Sequence, residues 1–192
     1  MKSIGITGII GSGKSMLSQV FRSMDVPVYD ADTQAKQLMG SDLAIRNSLI
    51  DIFGEKTYIK GTINKEYMKE IVFGNDENRK IVNSIVHPAV KQHFMLWRQQ
   101  TDANIVAIES AIIFEAKIDD ILDYIIFVDA PEQMLIKRIC RRDNVSEETA
   151  INKIKIQRIN SGRERCDSIF VNDKDHSLIE QAENFIINNI KH

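Results

Sequence analysis

Five short apolar segments recur along the chain and predict five β-strands. The segments occupy residues 3–7, 26–29, 105–108, 124–128 and 169–171. Each is a continuous apolar run rather than an alternation of apolar and polar residues, which is typical of a strand buried on both faces. Such strands belong to a sheet that helices cover on both sides.

The longer stretches between these segments carry apolar residues at helical spacing. The predicted helices begin after Lys14 and then occupy residues 41–53, 64–73, 76–100, 131–142, 146–159 and 176–190. In the first helix Leu17, Val20, Phe21 and Met24 share one face. Because strands and helices alternate, the sequence predicts an α/β fold with a parallel, doubly wound sheet.

The second and third predicted strands are separated by roughly seventy residues of helical pattern. This is longer than a simple crossover, so we expect a helical insertion at about residues 33–100. No Pro-, Gly- or Ser-rich linker interrupts the chain, and we predict a single domain over residues 1–192. Pro88 lies inside one helical pattern, where its missing N–H favours a break or a kink.

The composition is that of an ordinary globular protein, with 192 residues of which 43% are hydrophobic and 27% charged. No apolar run approaches the roughly 18–20 residues that a membrane helix needs, so we expect neither a membrane nor a secreted protein. Cys140 and Cys166 are the two cysteines and form no C-x-x-C pattern. This low number of cysteines and their spacing indicate a reducing, cytoplasmic location.

The charge distribution is uneven. The net charge of −2 gives no general attraction for nucleic acid, yet residues 137–165 hold nine basic against four acidic residues. Arg138, Arg141 and Arg142 share one helical face because they are spaced i, i+3 and i+4. We interpret the region at about 137–165, which also contains Arg158, Arg163 and Arg165, as a lid over a phosphoryl group. For any one arginine the alternative is a solvated basic face.

The segment Gly8-Ile9-Ile10-Gly11-Ser12-Gly13-Lys14-Ser15 fits the P-loop pattern G-x-x-x-x-G-K-[ST] between a strand and a helix. Its glycines let successive backbone N–H groups point into one concavity at a helix N-terminus, which favours phosphate. Lys14 can reach the β- and γ-phosphates, and the Ser15 hydroxyl can bind Mg²⁺. We therefore expect a nucleoside triphosphate with Mg²⁺ here, bound by Gly11, Ser12, Gly13, Lys14, Ser15 and Met16.

Asp30-Ala31-Asp32 closes the second predicted strand, at the sheet edge where open α/β sheets bind ligands. A carboxylate there can accept the proton of an attacking hydroxyl. One of the two aspartates can instead cap the next helix. We favour Asp32 as the base, with Asp30 as the alternative.

His87, Glu109 and Glu115 are weaker candidates. His87 precedes Pro88 and has a structural as well as a functional interpretation. Glu109 ends the third strand, and Glu115 follows Ala111-Ile112-Ile113-Phe114. Either glutamate could support Mg²⁺ indirectly or lie on the rim of a site.

Taken in order, several segments make the chain resemble the dephospho-CoA kinase family over nearly its whole length. They are the P-loop, Asp30-Ala31-Asp32, Asn83-Ser84-Ile85-Val86-His87-Pro88, Ile112-Ile113-Phe114-Glu115, Arg138 to Asp143, Ser146 to Ala150, Gln157 and Val171-Asn172. The P-loop alone is shared by many kinases, whereas the ordered set is much narrower.

The resemblance implies a P-loop NTPase-like three-layer fold with a five-stranded sheet in the order 2-3-1-4-5. It also implies that ATP phosphorylates the ribose 3′-hydroxyl of dephospho-CoA, the last step of coenzyme A synthesis. By the same resemblance Asp32, Lys14 and Arg142 are catalytic, and Arg138 and Arg142 contact the nucleotide. Asp32, His87 and Glu115 then contact the acceptor.

Some positions depart from the family pattern. Ile9 and Ala111 stand where the family usually has Gly and Pro, and residues 158–163 differ from its usual acidic and Lys residues. Two alternatives remain, a kinase of the nucleoside or nucleotide monophosphate type and a regulatory P-loop ATP-binding protein. The oligomeric state is open, a monomer being compatible with the sequence.

Overall fold

The computed structural model describes residues 1–159 and 161–190. Asn160, inside the predicted lid, and residues 191–192 lie outside this description. None of the helices within the described residues has the length and apolar character needed to cross a membrane.

The elements follow one another in chain order. The strands are β1 (Lys2–Gly8), β2 (Val28–Asp30), β3 (Tyr58–Ile59), β4 (Thr62–Ile63), β5 (Ile105–Glu109), β6 (Tyr124–Asp129) and β7 (Ser168–Val171). The α-helices are α1 (Lys14–Ser23), α2 (Ala31–Ser41), α3 (Leu43–Phe53), α4 (Lys65–Val72), α5 (Asp76–Gln100), α6 (Glu132–Asp143), α7 (Glu147–Ile159) and α8 (Leu178–Asn189). Contacts divide the chain into two compact units, Met1–Tyr29 with Thr101–His192, and Asp30–Gln100.

The first unit is built on a five-stranded sheet in the order β2-β5-β1-β6-β7. Counting only the strands of this sheet, the order is 2-3-1-4-5, which confirms the predicted topology. The pairs β1–β5, β1–β6 and β6–β7 are parallel, and Ile6 lies opposite both Glu109 and Ile126. The carboxyl ends of these strands therefore share one edge, where parallel sheets bind ligands.

Helices cover both faces of this sheet. On one face Leu17 and Phe21 of α1 pack with Phe185 of α8 against Ile126. On the other face, the α6 and α7 residues Leu135, Ile136, Ile139, Ala150 and Ile154 pack against Phe127. Ile126 and Phe127 face opposite sides because side chains alternate along a strand.

The second unit is helical, with a small hairpin formed by β3 and β4. Leu49 of α3 and Phe94 of α5 are fully buried in it. The Tyr58 hydroxyl donates to the Met39 carbonyl at 2.6 Å, and the Arg46 guanidinium lies over the Tyr58 ring. The sequence predicted a helical insertion at about residues 33–100, and this unit spans Asp30–Gln100.

The unit differs from the sequence interpretation in three respects. Helix α2 was not among the predicted helices, because its sequence is mostly polar and includes Gly40. The β3–β4 hairpin was missed because each strand has two residues, too few to show an alternation. Helix α5 also continues through Pro88 without interruption, so the missing N–H of proline does not break it there.

The connection from α7 to β7 depends on a close contact at Gly162. Its φ of 62° lies in the left-handed region, and a Cβ there would come within 2.2 Å of the Phe114 ring. The Arg165 guanidinium stacks over the same ring at 4.1 Å from its centroid. Phe114 is therefore held by the last residues of the predicted lid region.

We expect Gly162→Ala to lower the free energy of unfolding by about 1–3 kcal/mol, through left-handed strain and overlap with the ring. The matched control is Gly40→Ala, since Gly40 is helical and a Cβ there meets nothing within 4 Å. That control should raise stability by about 0.5–1 kcal/mol. Urea unfolding measures both, and equal effects would contradict the contact.

Candidate active site

The P-loop joins β1 to α1, and a glycine stands at the turn into the helix. Gly13 is the residue before α1 and has a φ of 104°, a left-handed conformation. Helix α1 has no acidic residue in its first turn and no side-chain cap. The positive end of its dipole is therefore left for an anion.

Three backbone N–H groups of this loop have no protein acceptor within the described residues. The Ser12 N–H donates to the Ile9 carbonyl at 3.2 Å. Within the described residues the N–H groups of Gly11, Gly13 and Ser15 donate to no protein atom. The loop thus keeps three donors for a ligand.

The carbonyl groups of the loop, by contrast, are held by cationic side chains. The Lys14 ammonium donates to the Gly8 carbonyl at 2.9 Å and to the Ile9 carbonyl at 3.2 Å. The Arg138 guanidinium donates to the carbonyls of Gly11 at 3.1 Å and Ser12 at 3.4 Å. Arg138 on α6 therefore contacts the loop backbone in this conformation.

Asn172, directly after β7, supports the same loop. Its side chain is buried, and its amide nitrogen donates to the Ser12 carbonyl at 2.7 Å. A Cβ at position 13 would lie 1.9 Å from that nitrogen, so Asn172 requires glycine there. The second Arg138 nitrogen donates to the Asn172 carbonyl at 3.3 Å, which connects α6, β7 and the P-loop.

Gln157 in the last turn of α7 makes the one described side-chain contact to a loop N–H. Its side-chain oxygen accepts a hydrogen bond from the Ile10 N–H at 2.6 Å. In the sequence, Gln157 and Asn172 stand out only as parts of segments that resemble the family. The contact between Gln157 and Ile10 spans 147 positions of the chain, and the contact between Asn172 and Ser12 spans 160. No local sequence pattern indicates contacts between residues so far apart.

Glu109 lies beside the helix that follows the P-loop. It ends β5, the strand next to β1, and accepts a hydrogen bond from the Ser18 hydroxyl at 2.6 Å. Ser15, one turn earlier on α1, is exposed, and its hydroxyl has no partner within the described residues. These oxygens belong to the type that Mg²⁺ prefers.

Four of the arginines in the predicted lid are engaged by carboxylates. Arg142 binds Asp143 through Nε at 2.7 Å and Nη2 at 3.2 Å, and Lys153 binds the same carboxylate at 2.9 Å. Hydrogen bonds from Arg142 and then Lys153 hold the pKa of Asp143 well below its usual range. The other pairs are Arg158–Glu132, Arg163–Asp129 and Arg165–Asp119.

A cavity of about 430 Å³ adjoins the loop on the side of β7. Met16, Gln19, Asn172 and His176 are among the residues that line it. The His176 ring nitrogen lies 2.9 Å from Asp173, and this hydrogen bond lowers the pKa of the Asp173 carboxyl. The cavity combines apolar and polar groups, as small-molecule sites do.

The two aspartates after β2 have different environments. Asp30 is the N-cap of α2 and accepts hydrogen bonds from the N–H and the hydroxyl of Thr33, each at 2.9 Å. Asp32 lies in the first turn of α2, where it is exposed and has no partner within the described residues. The structure thus assigns the capping role to Asp30.

Two further predicted residues lie on different units. His87 is half-buried on α5 in the second unit. Glu115 is exposed in the first unit, directly after Phe114.

Ser12 of the P-loop is fully buried, and its hydroxyl has no partner within the described residues.

Sheet order, P-loop and the helices on both faces define a protein of the P-loop fold class. A shikimate kinase from Acinetobacter baumannii, in complex with shikimate, shares this fold with a TM-score of 0.57 at 14% identity, over 100% of this chain and 96% of that chain. The crystal structure of TT1252 from Thermus thermophilus superposes with a TM-score of 0.82 at 25% identity, over 100% and 98% of the two chains.

The sequence identifies the family within this class. The profile described as "CoaE: Dephospho-CoA kinase" matches residues 2–178. The dephospho-CoA kinase of Bacteroides fragilis is 38% identical over 180 residues, which cover 93% of this chain and 88% of that protein. The chain belongs to the dephospho-CoA kinase family, which confirms the resemblance seen in the sequence.

We expect Asn172→Asp to disturb the P-loop. The substitution keeps the size but replaces the buried donor by an oxygen facing the Ser12 carbonyl, so the free energy of unfolding should fall by about 1–3 kcal/mol. Mg-ATP affinity should fall with it, measured by calorimetry beside urea unfolding. Asn184→Asp, on the exposed face of α8, is the control, and an equal effect there would contradict a specific role.

Proposed function

We propose that this protein transfers the γ-phosphoryl group of ATP to the ribose 3′-hydroxyl of dephospho-CoA. The observation that carries the proposal is the P-loop, whose N–H groups at Gly11, Gly13 and Ser15 are available as donors. Family membership supports the choice of acceptor.

The donor side is the P-loop with its helix. The N–H groups of residues 11 to 16, together with the dipole of α1, would hold the phosphate oxygens. Lys14 would exchange its contacts with the Gly8 and Ile9 carbonyls for the β- and γ-phosphates. The cavity beside Met16 and Asn172 suits the nucleoside end of ATP.

The residues present also fit Mg²⁺. No three His, Cys, Asp or Glu residues cluster as a metal site among those described, and Mg²⁺ in kinases typically takes one or two protein ligands plus phosphates. Ser15 would bind the ion, and Glu109 would face it from the neighbouring strand. Bound there, Mg²⁺ neutralises charge on the β- and γ-phosphates.

On the acceptor side Asp32 would take the proton of the attacking hydroxyl. Its carboxylate has no partner within the described residues, whereas that of Asp30 is committed to capping α2. His87 on α5 and Glu115 after Phe114 would contact the acceptor, an assignment that rests on the family resemblance.

The lid would supply positive charge to the transferred group. Arg142 uses Nε and Nη2 for Asp143, and this leaves three of its five N–H donors for a phosphate. Arg138 would contact the nucleotide while it keeps its hydrogen bonds to the Gly11 and Ser12 carbonyls. Both residues lie on α6, which packs on the sheet through Leu135 and Ile139.

The proposal is tested by phosphate transfer from radiolabelled ATP. We expect the label on dephospho-CoA and not on nucleosides or nucleoside monophosphates, with transfer abolished when EDTA removes Mg²⁺. Lys14→Ala is the inactive control. Selective labelling of a monophosphate would support the other kinase class, and ATP binding without any transfer would support a regulatory protein.

Replacement of Asp32 by Asn should lower kcat about 10²–10⁴-fold, the range for loss of a general base. The Kd of ATP should change little, because Asp32 is not part of the phosphate-binding loop. Asp30→Asn is the matched control, since Asn is an equally good N-cap. If the Asp30 variant loses the activity and the Asp32 variant keeps it, the assignment is reversed.

A further inference from the structure

Gln157 binds the N–H group of Ile10, the P-loop residue directly before the proposed phosphate donors at residues 11 to 16. Three neighbouring loop residues, Gly11, Gly13 and Ser15, have N–H groups without a protein acceptor among the described residues. The Ile10 N–H is instead bound by the Gln157 side-chain oxygen at 2.6 Å. A carboxamide oxygen and a phosphate oxygen are both acceptors, and a backbone N–H is a single donor.

The last turn of α7 has few other anchors within the part of the chain that the structure describes. Ala150 and Ile154 bury the first part of the helix against α6. Ile156 and Ile159, which flank Gln157, are 66% and 81% exposed. Apart from Gln157, the contacts described for this turn are the exposed Arg158–Glu132 pair and the hydrogen bonds that Ser161 donates to the Arg158 carbonyl. Exposed ion pairs contribute little.

We propose that Gln157 is an internal competitor for phosphate at the P-loop and thereby sets the affinity for nucleotide. In the conformation described here its oxygen holds the Ile10 N–H and keeps the end of α7 against the loop. A triphosphate that uses this donor must displace Gln157 and so release the last turn of α7. By linkage, whatever frees that turn also favours nucleotide binding.

The inference rests on the proposed function only in that the P-loop binds Mg-ATP. It assigns Gln157 a role opposite to that of a direct ligand. Removing a ligand weakens binding, whereas removing a competitor strengthens it. The sign of the change therefore distinguishes the two roles.

The experiment compares Mg-ATP binding to the full chain and to Gln157→Ala by calorimetry. We expect the Kd to fall by about 2- to 10-fold, the equivalent of one net hydrogen bond. Stopped-flow with a fluorescent ATP analogue should show the gain mainly in the association rate constant. Gln133→Ala, an exposed glutamine on α6, is the control and should leave the Kd unchanged.

Two further variants strengthen the test. Gln157→Asn keeps the amide but is one methylene too short for the contact, so it should tighten binding like alanine. Gln157→Glu offers a charged acceptor that binds the N–H more strongly and repels phosphate, so it should weaken binding by about tenfold or more. Circular dichroism verifies that each variant is folded.

A Kd that rises or stays constant in both Gln157→Ala and Gln157→Asn would overturn the inference, while the binding of ATP by the wild-type chain would still support the proposed function. Failure of the wild-type chain to bind Mg-ATP would overturn the proposed function itself, and the inference with it.

Discussion

The site depends on which backbone groups of the P-loop are bound within the protein and which are left for a ligand. A buried or constrained peptide must satisfy both its N–H and its C=O, and in this loop the carbonyls are bound by Lys14, Arg138 and Asn172. While those contacts fix the carbonyls, the N–H groups of Gly11, Gly13 and Ser15 remain as donors within the described residues. These three N–H groups can then bind an anion without giving up a protein partner, which is a form of electrostatic preorganisation that favours phosphoryl transfer.

This arrangement explains why distant segments must fold together before the loop is complete. Arg138 comes from α6 on one face of the sheet and Asn172 from the end of β7, and the two residues contact each other as well as the loop. Gly13 is required twice, by its left-handed φ and by its closeness to Asn172. The P-loop motif therefore indicates only the N–H groups that can bind phosphate. The side chains that hold the loop carbonyls, Arg138 and Asn172, come from residues far along the chain.

The sequence predicted those parts of the structure that have a local signal. Continuous apolar runs showed the strands of the main sheet, and the glycine spacing located the P-loop. The order of the strands needed the family resemblance, because periodicity carries no information on which strands pair. Helix α2 and the β3–β4 hairpin lacked an apolar pattern of sufficient length. The choice between Asp30 and Asp32 as helix cap depended on side-chain geometry with Thr33, which spacing does not determine.

The lid illustrates why a charge count does not describe a site. Residues 137–165 carry a formal charge of +5 from nine basic and four acidic residues, yet Arg142, Arg158, Arg163 and Arg165 each bind a carboxylate. These pairs are largely exposed, so solvent screens them and exchanging a carboxylate for a phosphate costs little. A fully buried pair would be different, because breaking it leaves an uncompensated charge. The carboxylates therefore keep these four arginines ordered through contacts that solvent weakens.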